Sequence, residues 1–281
     1  MASEVNAAAE APPRLAGRGA AQTRSRPLFG ERRDWLLRLA KLLPFLVIFV
    51  AWQWASDSGA ISPVFYSSPL AILESLWQWY SSGRILPHLL ATVLELAIGL
   101  TLATVIGLVL GIWVGWSRTA NDMASPVLVF LYSVPVIAVG PVLALVLGIG
   151  MIMPVALILL LAVFPILFAV EAGVRTAPHD LIRMARHFGA SDGQIIRTVL
   201  LPAAVPYLAG GLMVSIGRAM AGAVVGEWLA SSTGLGSLIF TSAAIFETKT
   251  VYMAAFSIVG LSLLLSLSVG AFERWTQKWR P

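Results

Sequence analysis

Six stretches of this chain are long and apolar enough to cross a bilayer, near residues 36–55, 89–115, 124–148, 151–171, 207–231 and 251–272. The hydrocarbon core is about 30 Å thick and takes about 20 helical residues to span. Lipid offers no water to satisfy peptide N–H and C=O groups, so each stretch has to close its own hydrogen bonds. An all-α, polytopic membrane protein with six transmembrane helices is expected. Charged residues make up 12% of the 281 and hydrophobic residues 58%, whereas soluble chains carry about 25% charged residues. The net charge of +5 is a poor argument for nucleic-acid binding, because the basic residues are unevenly placed. With no cysteine there is neither a disulfide framework nor a thiolate metal site, and His88, His179 and His187 are scattered.

Residues 1–34 are rich in Ala, Pro, Gly and Arg and lack apolar periodicity, which reads as a disordered, basic cytosolic arm. The run from Trp35 to Ala55 is too long for the core of a signal peptide and has no small-residue cleavage site after it, so it is taken as an uncleaved first span. Orientation follows from Lys and Arg. With the N-terminus inside, sixteen of the 19 basic residues fall on the cytosolic side, while Arg84 and Lys249 lie outside and Arg218 lies within a span. Both termini are therefore expected in the cytosol. Between the first two spans, Ser68-Pro69 begins a short amphipathic helix carrying Trp77, Trp79 and Tyr80. It is either an interfacial helix or an ordinary connector.

The second span carries small residues at every fourth position, Gly99, Ala103, Gly107, Gly111 and Gly115. They strip one helix face so that another backbone can approach, within the chain or across a subunit interface. The third span holds Pro135 and Pro141, each of which removes a backbone hydrogen bond and invites a kink that either lines a solvated path or merely bends a packing helix. The fifth carries Arg218 and Glu227, costly in lipid and about 13.5 Å apart along one helix, so each needs its own partner or a wet cavity. Either Arg218 attracts an anionic solute and Glu227 holds an outer gate or a neighbouring helix, or both are satisfied by polar neighbours. Glu95, in the second span, is a possible mate for Arg218.

The segment from Thr176 to Pro206 is a polar island of about 30 residues, where a connector needs only a few. Leu181, Ile182, Ala185, Phe188 and Ala190 give one apolar face to a short helix ending at Gly189. A second helix is expected from about Asp192, as N-cap, to Leu200, closed by Pro202. By charge and periodicity the island either docks a partner or lies on the membrane surface, held by Arg183, Arg186 and Arg197.

The spacing from Ala185 to Gly189 and then to Val199, Leu201 and Pro202, with Gly189-Ala190-Ser191, resembles the "EAA" loop of bacterial ABC importer permeases. The resemblance runs from about residue 60 to the end and is nearest the subgroup for nitrate, alkanesulfonates, taurine and thiamine-precursor pyrimidines. It implies the type I ABC importer permease fold, with residues 35–281 as the permease domain and 176–206 as a cytosolic coupling loop. It also implies that Ile182, Arg183, Ala185, Arg186, Phe188, Gly189, Ala190, Ser191, Leu201 and Pro202 form the contact with a cytosolic ATPase dimer. Pro135, Pro141, Arg218 and Glu227 would line or gate the path, and the segment after Ser231 would form a short gate helix. Arg183 stands where the family has Glu, and two such arginines facing one another across a dimer would repel. The second permease subunit is thus either this chain or a different one. An extracytoplasmic binding protein would deliver a small solute, expected to be a nitrate-, sulfonate- or taurine-like anion, with a thiamine-precursor pyrimidine or another small organic solute as the alternative. No G-x-x-x-x-G-K-[ST] and no catalytic constellation occurs, so this chain is expected to be no enzyme and to bind no cofactor. ATP and Mg would sit on the partner. An ion-coupled secondary transporter is disfavoured by the absence of an inverted repeat and by the size of the loop.

Overall fold

The computed structural model describes residues 30–62 and 65–277, with side chains from 43 to 274. The chain divides into two units, residues 1–50 and residues 51–281. In the first, the described segment is the beginning of α1 (Gly30–Asp57). The basic arm expected over 1–34 falls, up to residue 29, outside the described residues. Among the described residues every regular element is helical. After α1 come α2 (Pro69–Ser81), α3 (Leu86–Trp116), α4 (Arg118–Ser133), α5 (Val136–Leu147) and α6 (Ile152–Arg175). Then follow α7 (His179–His187), α8 (Asp192–Ile195), a π turn (Ile196–Leu200), α9 (Leu201–Ala230), α10 (Leu235–Ala244) and α11 (Thr248–Gln277).

Among the described residues, four helical segments are long and apolar enough to cross a membrane: α3, α6, the run Asp192–Ala230, and α11. The expected third span, 124–148, is not one straight helix. It is α4 and α5, whose axes meet at 87°. Val134 is extended, at φ −67° and ψ 127°, because the ring of Pro135 disfavours helical backbone in the residue before it. The expected first span, 36–55, lies within α1, whose apolar part with described side chains, Leu43–Asp57, is shorter than a crossing.

α6 is the centre of the bundle. A Cβ on Gly99 of α3 would lie 2.5 Å from Ile158, on Gly107 2.8 Å from Ile166, and on Gly111 2.7 Å from Val170. From the other side, a Cβ on Gly211 of α9 would lie 2.8 Å from Ala169, and one on Gly222 3.0 Å from the backbone of Ile158. Both neighbours thus approach α6 closer than any side chain allows, and the every-fourth-residue stripe proves to be an intrachain packing face. Half of α6's most apolar window is buried, against 6% for α11, which leaves α11 a peripheral helix.

α2 is capped by Ser68, whose hydroxyl accepts from the Ala71 N–H at 3.2 Å. Its aromatic trio divides. Trp77 is exposed, Trp79 packs beside Ile85 and Leu235, and Tyr80 donates to Ser257 of α11 at 3.3 Å.

Gly111→Ala is expected to destabilise the protein by about 1–3 kcal/mol, because the new methyl meets Val170. Gly210→Ala, where a Cβ finds open space, is the control and should have no such effect. Thermal unfolding in detergent, followed by intrinsic fluorescence, checks this, and equal effects at both positions would contradict the packing described.

Candidate functional site

α7 ends in a Schellman motif. Ala190 donates to the Ala185 carbonyl at 3.0 Å and Gly189 to that of Arg186 at 3.0 Å, with Gly189 at φ +79°, where a side chain would be strained. The next cap is Ser191 rather than the expected Asp192. The Ser191 hydroxyl accepts from the Gln194 N–H, while Gln194 Oε1 accepts from the Ser191 N–H at 2.8 Å, a capping box. The single apolar face expected on this helix splits in two. Ile182, Ala185 and Ala190 pack on the core, whereas Leu181, Met184 and Phe188 face outward, Phe188 at 86% exposure. Arg183 is paired with Asp180 within α7, so its charge is partly neutralised there. Arg186 lies 5.4 Å from the Trp116 ring centre at the end of α3 and 3.5 Å from Asp192. These groups are well exposed, so each contact orients more than it stabilises.

Pro202 does not close the second helix as expected. α8 passes through the π turn into α9, with the Leu201 N–H donating to the Ile196 carbonyl and Pro202 in the first turn of α9. Proline lacks an N–H and crowds the carbonyl four residues back, and the wider turn just before it gives the ring room without ending the helix.

The break between α4 and α5 opens a cleft of about 230 Å³, walled by Tyr132, Pro135, Val136, Leu160, Phe164 and Arg218. The Arg218 guanidinium donates to the Tyr132 hydroxyl at 2.7 Å and sits 5.1 Å from that ring's centre. Tyr132 in turn meets Phe164 and Phe168 edge-on or tilted. Pro135 and Arg218 thus share one cleft, while Pro141 lies exposed on α5 and Glu227 lies elsewhere. The mate considered for Arg218, Glu95, is instead hydrogen-bonded to Glu227. Nine residues separate Arg218 from Glu227 along α9, which puts α3's carboxyl out of the guanidinium's reach.

Glu227 is fully buried and caps a helix other than its own. Its Oε1 accepts from the Thr92 hydroxyl at 2.6 Å and its Oε2 from the Gly236 N–H at 2.5 Å. It also accepts from the Ser237 N–H. Thr92 Oγ1 accepts from the Leu235 N–H at 2.9 Å, and His88 Nδ1 lies 3.3 Å from the Gly234 nitrogen. The first amides of α10 are thus met by side chains of α3 and α9, in place of a local cap. Gly234 and Gly236 leave the space for this: a Cβ on Gly236 would lie 2.7 Å from the Val224 backbone.

Residues 103–278 match the family of binding-protein-dependent transport system inner membrane components. The chain belongs to that family. It is 34% identical over 250 residues to the riboflavin transport system permease protein RibX of Chloroflexus aurantiacus, covering 89% of this chain and 92% of that one. It is 31% identical over 250 residues to a putative aliphatic sulfonates transport permease protein, SsuC, of Bacillus subtilis, covering 89% and 90%. An inward-facing structure of the MetNI methionine ABC transporter superposes with a TM-score of 0.61 at 22% identity, over 68% of this chain and 95% of that chain. The protein is an ABC importer permease with the type I permease fold, embedded in the membrane by several helices.

Two groups in this permease hold places that the sequence alone did not assign to them. Tyr132, three residues before Pro135, has no signal of its own beyond an aromatic beside a break. His88, Thr92 and Glu95 did have one: they recur at i, i+4 and i+7 and extend the face on which the glycines lie. Thr92→Val, which strips a donor from Glu227 and an acceptor from Leu235, is expected to lower the stability of the permease by about 1–2 kcal/mol. Thermal unfolding of the purified chain measures it, and an unchanged midpoint would mean that the cap is not formed.

Proposed function

We propose that this permease carries a small organic anion of the sulfonate or taurine kind into the cytoplasm, powered by a separate ATPase dimer that docks on α7. The observation that carries the substrate reading is Arg218, whose partners in the cleft are a phenol and an aromatic ring. Among the described residues no ion pair engages this guanidinium, and its fork can offer a sulfonate two parallel donors. In a low-dielectric stretch of membrane that attraction is strengthened. The sulfonate permease among the relatives supports the same class. The N- and C-termini lie on the cytosolic side in this reading, as the Lys and Arg distribution requires. The partners are the ATPase dimer holding ATP and Mg, an extracytoplasmic binding protein that delivers the solute, and a second permease subunit. Arg183, paired with Asp180, puts little unscreened charge between two copies, so a second copy of this chain is acceptable as that subunit.

α7 suits docking because its two faces do different jobs. Ile182 and Ala185 fasten it to the core while Leu181, Met184 and Phe188 stand clear of the chain. An ATPase groove would cover those outer side chains. Beyond the Gly189 turn, α8 is continuous with α9, so a displacement of α7 is handed to the helix that bears Arg218 and Glu227. The π turn is where that helix yields most easily, its backbone bonds being already widened there.

A second substrate reading has one observation in its favour. Tyr132, Phe164 and Phe168 make an aromatic wall beside the cleft, against which a flat heterocycle such as a riboflavin or a pyrimidine would stack.

Two predictions separate these parts. Phe188→Asp should leave the unfolding midpoint unchanged but abolish co-purification of the ATPase with a tagged permease, and undiminished co-purification would remove α7 from the interface. Arg218→Gln should cut uptake by about tenfold with assembly intact, and Arg218→Lys should restore only part of it, because an ammonium lacks the paired donors. The cargo itself is decided by thermal-shift screening of the cognate binding protein against taurine, alkanesulfonates, nitrate, riboflavin and pyrimidines. Stabilisation by a heterocycle alone would overturn the anion reading.

A further inference from the structure

The carboxyl of Glu95 is unaccounted for by anything above. It is 1% exposed within the apolar helix α3, and its Oε2 has no hydrogen-bond partner. The charged neighbour it faces is another acid, Glu227, to which it is hydrogen-bonded. His88, about two turns earlier on α3, is engaged with Gly234, and the described ion pairs lie elsewhere. Burying two carboxylates side by side without a cation is prohibitive, whereas one carboxylate beside one neutral acid is a strong hydrogen bond.

The donors around the pair decide which acid is which. Glu227 already accepts from the Thr92 hydroxyl and from the Gly236 and Ser237 N–H groups, which is what an ionised carboxylate does. The N-terminal end of a helix also favours negative charge at that position. Among the described residues nothing donates to Glu95 Oε2. The proton therefore belongs to Glu95.

We propose that Glu95 is a positioning residue for α10: as the neutral acid it donates to the Glu227 carboxylate, filling that group's last acceptor site and holding it against the first turn of α10. Glu95 touches neither α10's amides nor the cleft; it acts through Glu227. A carboxylate held from behind by a donor cannot swing away from Gly236, and α10 is seated as long as it does not. An amide is the neutral-donor equivalent of a protonated carboxyl, so Gln should serve at this position, whereas an apolar side chain of similar size should not.

The 281-residue chain contains no cysteine, so Ser242→Cys, at a buried position of α10, supplies a single reporter of whether α10 is seated. In lipid nanodiscs, labelling of that cysteine by a membrane-impermeant maleimide should be slow with Glu95 and equally slow with Glu95→Gln. With Glu95→Met it should be about tenfold faster, from loss of one hydrogen bond to a charged group. Fast labelling of the Gln variant, or slow labelling of the Met variant, would overturn the proposal. Infrared spectroscopy gives a second measure that does not depend on how the Met variant folds. The neutral-carboxyl C=O stretch of the wild-type chain should be lost in Glu95→Gln, and a band that persists unchanged would show Glu95 to be ionised.

Discussion

The approach of α3 and α9 to opposite sides of α6 is the contact on which the other elements hang. In lipid, helices gain nothing by hiding apolar surface from one another, so association rests on close van der Waals packing and on hydrogen bonds between helices. Gly99, Gly107 and Gly111 on α3, with Gly211 and Gly222 on α9, supply the first of these by bringing backbone against Ile158, Ile166 and Val170. Everything with a proposed function leans on that three-helix core. α5 rests on Met153 and Leu157 of α6 and on Leu229 and Ala230 of α9. Ile182 holds α7 to the core, and α10 is fastened to α3 and α9 together.

Proline acts differently at each site because its surroundings differ. Pro165 lies inside α6, packed on both sides, and the helix carries on through it. Pro135 lies where α4 has few packing partners, and there the chain turns by 87° and leaves the cleft beside Arg218. Pro202 is absorbed by a π turn, which keeps the 176–206 loop mechanically continuous with the span that follows it. The positions where the backbone departs from the α-helix are therefore next to the two regions proposed to work, the docking helix and the cleft.

Several polar groups within the apolar helices are answered by another helix. Arg218 is answered by the Tyr132 phenol, and Glu227 by Thr92 and the amides of α10. In water such groups would cost little; in hydrocarbon each unanswered one costs several kcal/mol. The partners are thus as necessary as the charges themselves. Ser215 follows the same rule on a smaller scale, donating across to the α6 backbone at Ala162.

Much of this was legible in the sequence, because the constraints involved are local or periodic. Apolar length marked the spans, the every-fourth-residue glycines marked the face against which α6 packs, and the Gly189 spacing marked the end of α7. The Lys and Arg distribution set the expected orientation, since that signal is summed along the chain and needs no fold. Other features depended on which side chains meet. The sequence placed Glu95 and Arg218 as possible mates, yet the register of α3 against α9 brings Glu95 to Glu227, with Arg218 nine residues away. Pro135 and Pro202 look alike as breakers, and only their packing decides that one bends the chain sharply while the other is carried through. The cap on α10 was out of reach for the same reason: residues 88–92, which supply part of it, stand more than a hundred positions before 227 and 234–237, and a hydrogen bond exists only once three helices have fixed the distance.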